Sequence, residues 1–179
     1  MKPLLSLFFI FAFVNAQNLK DENLLQSLPK NFTLAYKHYD KKTHTRLLEF
    51  IPKGQTVKDW KQMITTTIFH RNINISAQDF AKRMQNLWKS DCPNSSTKLL
   101  PHGKENGYSY ALVMLYCPKS KITHKEEVTW LKAIKGGDSF YVVQKAFTYN
   151  LKKEEIIETM KYLKNVIVCD TRLNNCPKF

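Results

Sequence analysis

The first sixteen residues decide the compartment in which this chain folds, and through it what four cysteines can do for the fold. Lys2 supplies a positive start, and Leu4 to Val14 is an apolar run broken only by Ser6. Val14 and Ala16 place small or modest side chains at the two positions that a signal peptidase reads. The run is short for a bilayer span, so 1–16 reads as a cleaved secretory signal and not as an anchor. A buried N-terminal helix would carry polar residues at helical spacing, and this stretch has almost none. Cleavage after Ala16 leaves a chain starting at Gln17, periplasmic or secreted, in surroundings that oxidise thiols. No later stretch reaches the apolar length of a membrane span.

All four cysteines, Cys92, Cys117, Cys169 and Cys176, lie in the exported part. An even number outside the cytoplasm implies two disulfides, for which three pairings exist. Cys92–Cys117 with Cys169–Cys176 is the expected set, because Asp170 to Asn175 is a short, polar, turn-like segment that closes a small loop. Zinc is the competing reading, but no C-x-x-C or H-x-x-H spacing occurs, so neither metal nor cofactor is expected. The whole chain carries a formal charge of +13 from 28 basic and 15 acidic side chains, and loss of Lys2 would leave +12. Such a surface attracts phosphates, anionic headgroups, lipopolysaccharide or acidic glycans.

Roughly 160 residues after the signal suffice for one domain with a real core. Residues 17–30 form a polar N-terminal segment, a leader or frayed helix, and 31–179 a single domain. Phe32, Leu34 and Tyr36 alternate with polar or small neighbours, and Arg46 to Ile51 returns as the second strand of a hairpin. Thr56 followed by Asp59, with Val57, Trp60, Ile64 and Ile68 on one stripe, predicts a helix fraying towards His70. Ser76 with Asp79 predicts a second, burying Phe80, Met84, Leu87 and Trp88. Thr97 to Leu100 reads as a short strand, Gly103 to Gly107 as a loop, and Tyr108 to Cys117 as a strand apolar on both sides, hence covered on both. Val128 to Ile134 and Ser139 to Tyr149 form a hairpin turning at Gly136-Gly137. A last helix from about Lys152 carries Ile156, Met160, Leu163 and Ile167 on one face. The expected class is α+β, one antiparallel sheet of about five to six strands with helices packed on it, in the order ββααββββα. By element order alone this is similar to the Mog1/PsbP-like sandwich.

Three segments carry a second likeness: Glu49-Phe50-Ile51-Pro52 with Trp60, Asn106-Gly107-Tyr108 leading to Cys117-Pro118, and Gly137-Asp138-Ser139 through Ala146-Phe147. Together they resemble a family of small exported, disulfide-containing proteins of Gram-negative bacteria with no assigned activity. The likeness covers about Arg46 to Pro177 and transfers no catalytic residue. It implies a bacterial protein, in which the sequons at Asn31, Asn74 and Asn94 are chance matches.

The candidate site comes from the hairpin. Turning at Gly136-Gly137 sets Ile134 opposite Ser139, Lys132 opposite Tyr141, Trp130 opposite Val143 and Val128 opposite Lys145. Trp130, Lys132, Tyr141 and Lys145 then share a face, where two ammonium groups could hold an anion while the rings stack on its apolar part. The bland alternative is that the lysines reach past apolar surface to water, or pair with Glu126. Lys119, Lys121 and Lys125 form a loop trio suited to an anionic membrane. His38, His44, His70, His102 and His124 are the acid/base candidates, but none lies in H-E-x-x-H and no Ser lies in G-x-S-x-G, so no catalytic residue is assigned. The reading is a non-enzymatic exported protein that binds an anionic lipid, glycan or protein surface, in the envelope or at a host. The alternative is a small basic secreted phosphodiesterase or ribonuclease using His and Lys. Sequence-specific nucleic-acid binding is not expected, since no reading motif is present.

Overall fold

A computed structural model describes residues 19–71, 74–121 and 123–177; the expected signal peptide lies outside them. Among the described residues the protein is mostly β, with nine strands and two α-helices. In chain order these are β1 (Glu22–Leu25), β2 (Phe32–Asp40), β3 (Thr45–Pro52), β4 (Gln62–Phe69), α1 (Ala77–Asp91), β5 (Ser96–Glu105), β6 (Tyr108–Cys117), β7 (Glu127–Lys135), β8 (Phe140–Phe147), α2 (Lys153–Asn165) and β9 (Ile167–Asp170). A 3-10 turn, Thr171–Leu173, follows. Seven strands make one antiparallel sheet, ordered β2-β3-β4-β8-β7-β6-β5, while β1 and β9 pair separately. The large sheet is two meanders joined where β4 meets β8, with α1 carrying the chain from the first meander to the far edge of the second.

This corrects the expected order ββααββββα and its five to six strands. The helix expected from Thr56 to His70 is a turn followed by β4. The capping pattern forms locally, since Thr56 Oγ1 accepts from Asp59 N at 3.2 Å, but the chain closes a four-residue turn there instead of propagating. Beyond it, Ile64, Thr65, Thr66, Thr67 and Ile68 are all β-branched, which costs side-chain freedom in a helix and suits a pleated surface. The last helix also stops early: Val166 caps α2 and Ile167 belongs to β9, within another β-branched run. The polar segment expected as a leader contains β1, held by a partner about 145 residues away. The expected loop from Gly103 is strand through Glu105, and the turn is Asn106-Gly107, both at positive φ (51° and 87°). That is the two-residue turn that matches hairpin twist.

Two faces of the sheet are cores. Ala111, Val113, Leu115, Leu131, Ala133, Phe140 and Val142 pack under Ala77 and Ala81 of α1. Ser76 caps this helix through Asp79 N at 3.0 Å, as expected, but Leu87 points outward. Tyr108, Leu112, Trp130, Ile134, Tyr141 and Val143 pack on the other side, under Leu163 of α2, Val166 that caps it and Val168 of β9. Both disulfides form, Cys92–Cys117 joining the end of α1 to the end of β6 and Cys169–Cys176 closing the tail.

The β7–β8 register differs from the expected one by two residues. Ile134 faces Tyr141, Lys132 faces Val143, Trp130 faces Lys145 and Val128 faces Phe147. The cause is a longer loop, Gly136 to Ser139, wrapped around the Glu22 carboxylate of β1. Gly137 N donates to it at 2.5 Å, Asp138 N at 3.2 Å, Ser139 N at 3.0 Å and Tyr141 Oη at 3.0 Å. A shift of two keeps every side chain on its face.

Candidate functional site

Trp130, Lys132, Tyr141 and Lys145 do share one sheet face, but α2 and the β1–β9 pair cover it. Lys132 is 1% exposed. Its ammonium donates to the Glu105 carboxylate, to Leu163 O at 3.0 Å and to Val166 O at 2.8 Å, and lies 4.9 Å from the Tyr110 ring centroid. Three protons thus have three acceptors, two of them carbonyls at the negative end of α2. Burial pulls the Lys132 ammonium below its ordinary value, and Glu105 opposes that shift. Lys145 lies over the Phe147 and Tyr162 rings at 5.4 and 5.5 Å; burial lowers its value too, against Glu158 and Glu155. Trp130 packs edge-on against Phe147, and Tyr141 is spent on Glu22. Neither lysine pairs with Glu126 among the described residues.

The loop trio is spread out. Lys125 pairs with Asp59 at 2.8 Å, Lys119 is exposed, and Lys121 lines a cleft of about 320 Å³ beside the Cys92–Cys117 bridge. Glu127 at that cleft is pushed up by burial. His102 lies on exposed β5 and His124 in the β6–β7 loop.

A different set of groups converges on the α2-side face of β2, β3 and β4. Two cavities adjoin there, of about 430 and 370 Å³, and both are lined by Arg46 and Leu48. Pairing explains the convergence. Arg46 stands opposite Tyr39 on β2 and Ile68 on β4, and Leu48 opposite Lys37 and Thr66, so these side chains emerge on one face. Tyr39 Oη meets His44 Nδ1 at 3.2 Å, the rings of Tyr39 and His70 meet edge-on at 6.1 Å, and His70 N donates to His44 O at 3.0 Å. The far wall is Gln26, which accepts from Thr66 Oγ1 at 2.8 Å and donates to Tyr162 Oη at 2.7 Å. Burial pushes the Tyr162 phenol up to about 12.

The groove gathers cationic groups, and the acid that lines it, Glu22, has its carboxylate taken up by the Gly136 to Ser139 loop and the Tyr141 hydroxyl. Among the described residues Arg46 makes no ion pair, whereas Arg172 is held by Asp170 and Asp138, each at 2.5 Å. Glu49, the acid nearest Arg46 in sequence, stands opposite Tyr36 and Thr65 and so emerges on the other face, while Asp40 accepts from Lys42 N at 2.7 Å and Thr43 N at 3.3 Å, bonds that hold its carboxyl below the usual range. Partial burial, then the charges of Arg46 and His44, pull His70 below 6.5. No local sequence pattern marks this cluster, because Arg46 and His70 come together only when β3 and β4 pair.

No family model matches the chain, and no curated protein matches it. Among solved structures, the Ran-binding protein Mog1p of Saccharomyces cerevisiae is similar at 13% identity and a TM-score of 0.42, over 80% of this chain and 85% of that one. A mutant of protein Mog1 is similar at 13% identity and a TM-score of 0.42, over 79% and 84%.

Proposed function

We propose that this is an exported, non-enzymatic binding protein that docks an anionic partner in the groove on β2, β3 and β4. The observation that carries the reading is Arg46, a guanidinium shared by both cavities and without a carboxylate of its own among the described residues. A guanidinium offers a planar fork of donors to a carboxylate or phosphate. Lys37, His70 and the Tyr39 hydroxyl stand beside it as further polar groups, and Leu48 and Ile68 give an apolar floor. Export is supported by the leader pattern and by the four cysteines occurring as two bridges.

Retention on a heparin column and binding to anionic vesicles, each across a salt series, test the reading. Arg46→Glu should lower the eluting salt markedly, and Lys119, Lys121 and Lys125 changed together to Glu should lower it less. Equal losses from both variants would mean diffuse charge and no site.

A second reading, a phosphodiesterase, is favoured by one observation: His44 and His70 stand together beside Arg46. Yet His44 Nδ1 is engaged by Tyr39, and the two imidazoles stand at the open end of the strands, His44 in the β2–β3 turn and His70 just past β4, where a reacting group stays hydrated. RNA cleavage lost on His70→Ala would establish this second reading.

A further inference from the structure

We infer that the anionic partner is an extended acidic peptide segment, which adds to the free edge of β2 as an eighth strand of the sheet. The inference rests on the binding reading above and names the partner for that groove.

The two ends of the sheet are not alike. At one end β5 contains Pro101, and its pairing with β6 slips between Leu99 and His102. A missing N–H and a bulge both blunt an edge against a further strand. At the other end β2 runs for nine residues without a proline; it slips once, between Leu34 and Tyr36, and from there Tyr36 to Asp40 pairs in unbroken register with Thr45 to Glu49. Alternate residues there turn N–H and C=O groups away from β3, with no partner strand on that side among the described residues. Large side chains stand exposed along it, Leu34 at 46%, Tyr36 and Tyr39 each at 44%. The edge is thus a backbone template flanked by apolar and aromatic surface.

Charge selects the occupant. Residues 30–42 hold four lysines and one acid, and that acid is tied to the turn. A second copy pairing through the same edge would set these lysines against each other, so self-pairing is opposed while an acidic strand is attracted. In an added strand, side chains alternate between faces. Every second residue would lie beside Lys37 and Tyr39, at the mouth of the cavity that Arg46 lines. The others would lie beside Tyr36 and His38, whose rings stack with centroids 6.5 Å apart. An alternating acidic and β-branched segment fits both sides.

The probe is a labelled peptide of about eight residues, alternating Glu and Val, titrated by fluorescence anisotropy into the disulfide-bonded chain. A second peptide of the same sequence is N-methylated at alternate residues. It keeps the charge but cannot form the ladder along one edge. The plain peptide should bind, the methylated one about tenfold or more weaker. Amide hydrogens of β2 should gain protection from exchange only with the plain peptide. Equal binding of both peptides would overturn strand addition and leave the groove reading intact. Binding of anionic vesicles or heparin, but of neither peptide, would also overturn it in favour of a lipid or glycan. Self-association of the chain through β2 would overturn it as well. If no polyanion binds at all, the groove reading itself fails. Near-ultraviolet circular dichroism on Lys37→Glu, whose side chain is exposed, separates lost binding from lost folding.

Discussion

Lys132 shows how a cationic side chain on a sheet face can be structural. The alternation of the β7–β8 hairpin was enough to put it on one face with Trp130, Tyr141 and Lys145. Its acceptors lie 27 to 34 residues away in the chain, at the end of β5 and the end of α2, and no local pattern announces them. Lys132→Met keeps the stem and removes the donors. It should cost about 2 kcal/mol in urea unfolding, chiefly from two helix-end carbonyls left without partners, since Glu105 is open enough to rehydrate. A cost of a few tenths would mean that the ammonium contributes nothing to holding α2. His70 carries a different expectation. Its folded value lies below 6.5 because burial and two cationic neighbours oppose its charge. An anion in the groove relieves that opposition and raises the value. Affinity should therefore rise as pH falls from 7 through the His70 titration, and His70→Gln should flatten the profile. An affinity that weakens with acidification, in a partner that does not itself titrate there, would contradict the placement.

Among the elements, those defined by their own sequence were legible: α1 with its Ser76 cap, the β7–β8 hairpin, and both cysteine pairings. Those defined by distant partners were not. Glu22 to Leu25 shows no strand alternation, and only β9 and the loop at Gly136 make it one. The Thr56–Asp59 turn and the stripe at Trp60, Ile64 and Ile68 mimic a helix start, while the β-branched run carried the opposite and correct signal. The hairpin was placed on the right faces but two residues out of register, because the loop around Glu22 depends on a tertiary contact. Bridge energetics follow loop length at this scale. Cys92–Cys117 closes a separation of 25 residues and Cys169–Cys176 one of 7. Replacing the first pair by serines should cost about 3 kcal/mol, and the second about 1 kcal/mol less, both read from denaturant midpoints. The opposite order would show that the tail bridge holds β9, and with it β1, beyond its loop entropy.

Taken whole, the molecule separates scaffold from surface. Charges buried under α2 and β1–β9 are used to hold those elements, whereas Lys37 and Arg46 at the open end of the sheet make no ion pair among the described residues. The excess of 28 basic over 15 acidic residues was plain from composition, but its useful part was not. That part is set by which strands pair, and the decisive strand, β4, read as a helix. The function proposed for the groove requires an anionic partner to settle beside Arg46 and not over the surface at large. Amide chemical-shift mapping of the isotopically labelled chain, titrated with the acidic alternating peptide, tests this directly. Shifts concentrated at Lys37, Tyr39, Arg46 and His70 are the expected result. Shifts centred on Lys119, Lys121 and Lys125, or spread evenly over every exposed lysine, would contradict it.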